Sequence, residues 1–233
     1  MIEPPNEIVD LSNPIEESAP VWPSFPSIRC EQTMWAARDG ATMERVEMNS
    51  HTGTHVDAPL HFIAGGKTVD EYPIEKFMGE GIVLDLTPME PAEPVTVEAI
   101  EPFVDDIEPN DVIMLYTGWD EYHGRTPEYL FEFPHLSGDA AELLADLDPK
   151  AVGIDTPSVG GWYGEMPNHG PATDIHPADS HLPLLENDIL PIEELRNLDE
   201  VLEGQSSRRA EFFFPSMPFK GTSGGSVRAF AFL

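Results

Sequence analysis

The sequence predicts a single α/β domain spanning residues 1–233. Short β-branched and apolar runs alternate along it with helix-like segments, and neither an internal repeat nor a break in composition marks a second domain. A chain of 233 residues with 40% hydrophobic and 9% aromatic content can also bury a sizeable core without needing a disulfide or a metal merely to fold.

In chain order, strands are expected over residues 8–11, 43–48, 81–86, 112–116, 151–154, 210–214 and 227–232, where Val, Ile, Leu and Phe concentrate between turn residues. Helices are expected over 96–103, which opens with Thr96 and Glu98, over 137–147, where Ser137 is a natural N-cap, and over 177–185, with Pro177 in the first turn. The 24 prolines gather in the connections 14–26, 88–94 and 167–177, which read as ordered loops.

Charge excludes several function classes. Asp and Glu number 43 against 12 Lys and Arg, a formal net charge of -31. A field of that sign repels phosphate backbones and anionic lipid, and no local cluster of Lys or Arg overrides it, so neither nucleic acid nor a membrane is an expected partner. Only Lys67, Lys76, Lys150 and Lys220 carry an ammonium side chain, so the acidity reflects lysine depletion as well as carboxylate excess. A salt-rich cytoplasm accounts for this more economically than an acid-loving partner does, because molar salt screens the mutual repulsion within about 3 Å. With no basic, apolar leader after Met1 and no run of 18 apolar residues, a cytoplasmic location is expected.

The chemistry concentrates in residues 51–62, His-Thr-Gly-Thr-His-Val-Asp-Ala-Pro-Leu-His-Phe, which place His51, His55, Asp57 and His61 within eleven positions. Cys30 is the single cysteine, so any metal must be held by His and carboxylates, and these are the side chains that bind zinc and other divalent first-row metals. A lone His in an acidic protein is usually unremarkable surface, but four such residues around Gly53 and Pro59 fit a tight loop or bent strand end that aims several side chains at one point. A helix is excluded because Pro59 breaks it and because helical spacing turns Asp57 and His61 away from His51 and His55.

This segment resembles the signature His-x-Gly-Thr-His-x-Asp-x-Pro-x-His of the cyclase family of metal-dependent hydrolases, the family of bacterial kynurenine formamidase and isatin hydrolase. Further matches run through nearly the whole chain: Asp10-Leu11-Ser12 with Pro20-Val21-Trp22-Pro23, Thr117-Gly118-Trp119, Gly153-Ile154-Asp155-Thr156-Pro157-Ser158, His181 followed by Leu184-Leu185, Glu193 ahead of Asn197-Leu198, and Gly225-Ser226-Val227-Arg228-Ala229. The resemblance implies a fold of the swivelling β/β/α type with a mixed central sheet, assembled as a homodimer or homotetramer. It implies one or two divalent ions per chain, Zn or Mn, held by His51, His55, Asp57, His181 and Glu193, with Asp57 able to bridge two ions and His61 as the catalytic acid/base. Taken alone, His181 and Glu193 read as ordinary structural or solvated residues. The implied reaction is hydrolysis of the amide of a small aromatic substrate such as N-formylkynurenine, with an isatin-like cyclic amide, a lactone or a carbamate as alternatives.

Trp22, Phe25, Phe62 and Trp162 are candidate substrate-binding residues, with Trp119 and Tyr163 as further aromatics in motif loops. His169 and His176 precede His181 in one long loop and are candidate neighbours of the site, whereas His123 and His135 match no motif position. The chain departs from the family's formamidases at Trp22-Pro23-Ser24-Phe25, where they carry Trp-Pro-Gly-Asp, and in a longer stretch from Ser158 to His181.

Two other motifs lead elsewhere. Gly221-Thr222-Ser223-Gly224-Gly225 satisfies Gly-x-Ser-x-Gly, but no acid or His follows Ser223 as that hydrolase order requires, so it reads as a glycine-rich turn before the last strand. A reading of another class keeps the metal and drops the enzyme, a non-catalytic metal-binding protein; His61, a nitrogen beyond the ligand set, favours catalysis. From the charge alone, the melting temperature is expected to rise with KCl up to molar concentration, because screening relieves repulsion among 43 carboxylates faster than it weakens the pairs that 12 cations can make. A thermal scan across salt measures this, and a flat or falling melting temperature contradicts the salt-rich setting.

Overall fold

A computed structural model describes residues 7–164 and 176–233. The strands are β1 (Ile8–Asp10), β2 (Arg29–Met34), β3 (Met43–Glu47), β4 (His55–Asp57), β5 (Met78–Asp85), β6 (Pro94–Val95), β7 (Val112–Tyr116), β8 (His135–Leu136), β9 (Ala151–Ile154), β10 (Leu190–Glu193), β11 (Ser207–Phe213), β12 (Gly224–Ser226) and β13 (Phe230–Phe232). The helices are α1 (Ala36–Asp39), α2 (Val97–Ile100), α3 (Pro127–Phe131), α4 (Gly138–Asp146), α5 (Pro177–Glu186) and α6 (Leu198–Leu202), with short 3-10 turns between.

Nine strands form one mixed sheet in the order β1-β13-β11-β5-β7-β9-β10-β4-β12. Its centre, β5-β7-β9-β10, is parallel, and the strands on either side of it pair antiparallel. Side-chain alternation splits the central strands between two apolar layers. Ile82, Leu84, Ile113, Leu115, Val152 and Ile154 pack with Ala140, Ala141, Leu144 and Leu184 of α4 and α5. Val83, Val112, Met114, Leu190 and Ile192 point the other way, against Leu198, Val201, Leu202, Phe212 and Phe214. A sheet buried on both faces explains why β7 and β9 read as continuous apolar runs in the sequence.

The strands expected at 112–116 and 151–154 are found with those limits, and the helix after Ser137 is capped as anticipated, the Ser137 hydroxyl accepting from Ala140 N at 3.2 Å. Three expectations are corrected. Residues 96–103 form only one α-helical turn, α2, because Pro102 follows at once and the chain continues as a 3-10 helix over Glu101–Asp106. Residues 221–225 are not merely a turn before the last strand: Gly224 and Gly225 begin β12, which pairs with β4. Of the strand expected at 227–232 only residues 230–232 form one, β13, while Val227 makes an isolated bridge to Ser216. The loop expected at 167–177 lies largely outside the described residues.

β2 and β3 form a separate two-stranded ribbon whose residues are nearly all exposed. No described helix is long and apolar enough to cross a membrane. In the main sheet, a Cβ at Gly81 would lie 2.0 Å from the carbonyl oxygen of Val112 on the adjacent strand. Gly81→Ala is therefore expected to cost about 1–3 kcal/mol in urea unfolding, the range for forced overpacking. The control Gly124→Ala, whose Cβ would meet only Tyr122 O at 3.8 Å, is expected to stay within about 0.5 kcal/mol, and equal stability of the two variants refutes this account.

Candidate active site

The site is assembled where β4 lies between β10 and β12. The register pairs His55 with Glu193 and Asp57 with Gly224. With a side-chain period of two, His55 and Asp57 share one face of β4 while Val56 between them enters the core. His55 Nε2 stands 3.2 Å from Glu193 Oε2, directly across the ladder. Gly53, at φ +63°, turns the chain just before the strand, and a 3-10 turn over Pro59–His61 returns His61 to within 4.0 Å of Asp57 Oδ2. The four motif residues thus sit on a loop, a strand and the turn after it, all aimed at one point.

His181 arrives from the middle of α5, its Nε2 3.2 Å from Glu193 Oε1 and 3.4 Å from Asp57 Oδ2. The backbone sets the tautomers of two rings. His181 Nδ1 donates to Pro177 O at 2.7 Å and His55 Nδ1 donates to Gly53 O at 2.8 Å, since a carbonyl can only accept, so both rings turn Nε2 to the carboxylates. His51 Nδ1 lies 2.7 Å from Asp57 Oδ1, and its ring stacks on His61 at 4.0 Å. Glu193 Oε1 also accepts from Ser158 Oγ and Val159 N, which fixes the carboxylate plane.

Electrostatics here follow from burying two carboxylates among four imidazoles. Burial opposes a charge on His55, but Asp57 and Glu193 outweigh it and hold its pKa well above the ordinary imidazole value. The same balance carries His181 up to about 10. Glu193 is pushed up by burial and by Asp57, yet its bonds to His181 and His55 prevail and hold it at about 2. Asp57 is likewise held well below the usual range, mainly by the charges of His51 and His61 acting against burial. His61 differs: burial dominates and lowers it to about 4, so it is neutral at pH 7.

The residues fit a divalent cation. Asp57 is fully buried, and its Oδ2 has no hydrogen-bond partner among the described residues. Two groups of donors lie within 4.8 Å of one another and share Asp57: His51, Asp57 and His61, and His55, Asp57 and Glu193. In the ion-free protein, protons on His55 and His181 balance the two carboxylates, a charge that a cation can supply instead.

His51, His55, His61, His181 and Glu193 line a cavity of about 350 Å³ together with Trp22, Phe25, Phe62, Tyr163, His176, Pro157 and Glu194, while Asp57, fully buried, is not among its lining residues. Trp162, a candidate for substrate contact, is not among its lining residues: it is buried behind Trp22 at a ring distance of 5.1 Å and donates its Nε1–H to Gly164 O. Trp119 is likewise buried in that aromatic cluster. His176 lines the cavity and caps α5, its Nδ1 accepting from Ala178 N at 3.1 Å, whereas His169 lies outside the described residues. His123 packs on Tyr129 and His135 is buried, both away from the cavity's lining.

Two residues join the site without a clear sequence signal. Ser223 Oγ lies 2.9 Å from His51 Nε2; its Gly-x-Ser-x-Gly setting stood out, but the order of residues pointed away from a His so far upstream. Glu194, which beside Glu193 reads in the sequence as part of a solvated face, is 6% exposed and lines the cavity with Oε2 unpartnered among the described residues. Its φ of 56° is pinned by a backbone bond from Glu194 N to Thr156 O and by the side chains of Thr54 and Asn13, whose Oγ1 and Nδ2 donate to Glu194 O. Burial raises its carboxyl to about 7.

The curled mixed sheet is a fold shared with solved hydrolases. With a protein described as a potential metal-dependent hydrolase with cyclase activity, this chain shares 26% identity at a TM-score of 0.74, over 97% of this chain and 96% of that one. An isatin hydrolase bound to the product analogue thioisatinate shares the fold at a TM-score of 0.83 and 19% identity, over 97% of this chain and 92% of the other. The chain belongs to the Cyclase family, whose model matches residues 9–160. Kynurenine formamidase of Bacillus cereus is 28% identical over 156 residues, 66% of this chain and 70% of that protein. The protein is accordingly a hydrolase of the cyclase family.

Proposed function

We propose that this protein is a divalent-metal-dependent amidase that hydrolyses the aryl amide of a small aromatic substrate, of the N-formylkynurenine type. The observation that carries the reading is the pair of donor groups sharing the buried Asp57, whose other members His51, His55, His61 and Glu193 line an aromatic-walled cavity. Trp22, Phe25, Phe62 and Tyr163 offer flat apolar surface for an aryl ring, and about 350 Å³ suits a molecule of that size. Similarity to kynurenine formamidase at 28% identity supports the same chemistry. The isatin-like alternative draws only on a shared fold.

His51, His55, Asp57, His181 and Glu193 hold the ion in this reading. When bound there, a divalent cation polarises a carbonyl and acidifies water. His61, kept neutral by burial, accepts the proton of the attacking water at Nε2 and passes it to the nitrogen as the C–N bond breaks. Water and amide become an amine and a carboxylic acid, which ionises to carboxylate and a proton released to solvent, and an aniline-type nitrogen leaves more readily than an alkylamine. Phe62 stacks on His181 at 4.3 Å and bounds the cavity beside these groups.

Residues of the β2–β3 ribbon and its loop expose Trp35, Met43 and Val46 at 45%, 54% and 56%. A two-stranded ribbon is marginal alone, which supports a homodimer or homotetramer covering it with a second copy. Light scattering is expected to give a multiple of the 25.8 kDa chain mass, and Val46→Glu with Met43→Glu is expected to shift it toward the monomer. A monomeric wild type rejects this assembly.

The functional test measures metal content and turnover of N-formylkynurenine and isatin in molar KCl with Zn or Mn. About one or two ions per chain are expected, lost with turnover in Asp57→Ala. His61→Ala is expected to keep metal and lose about 10²–10⁴ in kcat. Metal lost in His61→Ala makes His61 a ligand instead of the proton carrier. Full activity in Asp57→Ala ends the metal reading and leaves neither alternative; metal bound without any turnover favours the non-catalytic metal-binding protein.

A further inference from the structure

Among the described residues, His51 is the one imidazole of the cluster whose two ring nitrogens both meet side chains, Nδ1 with Asp57 Oδ1 at 2.7 Å and Nε2 with Ser223 Oγ at 2.9 Å. We propose that Ser223 is a positioning residue that sets the orientation and tautomer of His51 and thereby tightens cation binding at the site. This rests on the metal-dependent reading above.

The strand β12 forms the slot. A Cβ at Gly224 would come within 2.4 Å of His51 Cε1 and 2.8 Å of its Nδ1, so the ring lies directly against glycine backbone and has no room to tilt that way. On the other face it is stacked on His61 at 4.0 Å. Ser223 closes the far edge of this slot, and its carbonyl accepts from Ala58 N at 2.8 Å, which ties the serine to the chain just after β4.

The hydroxyl suits both states of the ring. A carboxylate oxygen can only accept, so in the ion-free protein the proton shared with Asp57 belongs to His51 Nδ1, while the Ser223 hydroxyl can either donate to Nε2 or accept from it. When His51 gives up the Nδ1 proton to act as a ligand, the neutral ring must carry its remaining proton on Nε2, which then donates to Ser223 Oγ. A hydroxyl can reverse from donor to acceptor by rotation, whereas an alkyl group serves neither state and a carboxylate only one. Such outer partners of a ligating His orient the ring and raise its basicity, an effect of about 10–100-fold in metal affinity.

Ser223, His51 and Asp57 also have the connectivity of a nucleophilic triad. His51 lines the cavity, however, and Ser223 is not among its lining residues, so the hydroxyl lies behind the imidazole and away from substrate. The two roles separate in measurement.

The experiment is zinc affinity, read by competition with a chromogenic chelator, for the wild type, Ser223→Ala and Ser223→Thr, each checked ion-free for an unchanged circular dichroism spectrum. Ser223→Ala is expected to weaken zinc binding about 10–100-fold and Ser223→Thr to restore most of it. In a His51→Ala background, where His55, Asp57, His181 and Glu193 remain, adding Ser223→Ala is expected to change nothing, because the hydroxyl acts through His51. A Ser223→Ala affinity equal to wild type overturns the inference, and loss of turnover at that unchanged affinity assigns Ser223 the nucleophilic role instead. An equal loss with and without His51 also overturns it. A wild type that binds no zinc or manganese removes the metal reading itself, which is a different failure from a zinc-binding wild type with an indifferent Ser223→Ala.

Discussion

The site's organisation depends on a single buried carboxylate. Asp57 is fully excluded from water, has one oxygen bonded to His51 and leaves the other without a hydrogen bond among the described residues. An ionised carboxylate in such a place costs several kcal/mol unless positive charge is brought to it. His51, His55, His61 and His181 all approach it, at 2.7, 3.5, 4.0 and 3.4 Å. Each comes from a different piece of backbone, so the loop before β4, the strand itself, the turn after it and α5 are constrained together. That convergence is what makes Asp57 able to serve two donor groups at once.

Precision in this arrangement comes from strand register. β4 pairs on one side with β10 and on the other with β12, so a one-residue slip on either side would turn His55 and Asp57 into the core and Val56 into the site. β10 is parallel to β9, and the chain leaving β9 supplies Ser158 Oγ and Val159 N to Glu193. Ligand sites at the carboxyl ends of parallel strands are the general rule in open α/β sheets. Here the rule is met with one antiparallel strand, β4, contributing His55 and Asp57. The aromatic wall is then built from loops that do not depend on the ladder: Trp22 rests on Phe133 and Trp162, which are themselves buried.

Local pattern explains how much of this could be read in advance. β7 and β9 announce themselves because they are apolar on both faces, and α4 because Ser137 and the alternating alanines and leucines fix its start and its buried side. β4 is only half legible: the sequence allows a loop or a bent strand end there, because three residues, two of them His and Asp, have no β propensity signature, and tertiary pairing makes them extended. β12 is hidden for the opposite reason, since Gly224 and Gly225 carry no side chain to pattern, yet Gly224 is where the His51 ring needs free space. The cluster of residues 51–61 was visible because its members are adjacent in sequence. Ser223 and Glu194 were not, because what marks them is proximity across the sheet and burial.

The buried acids show how the fold separates structural charge from working charge. Among the described residues Asp57, Asp111, Asp155, Glu193 and Glu194 are buried, out of a chain with 43 carboxylates. Asp111 is answered by both guanidinium nitrogens of Arg209, at 2.7 and 2.9 Å, a closed pair that needs nothing further. Asp155 is answered by dipoles, accepting from Thr117 N, Thr117 Oγ1, Gly118 N and Trp119 N, and although these bonds lower its pKa, burial prevails and brings it to about 7. Neither solution leaves a side chain free for a ligand. Asp57 and Glu193 are answered instead by imidazoles, which can exchange a proton for a cation without moving, and Glu194 beside them keeps its Oε2 without a hydrogen-bond partner among the described residues. A carboxylate paired with Arg or with backbone dipoles is committed to the fold, whereas one paired with His remains available to chemistry, and this chain keeps the second kind at the cavity.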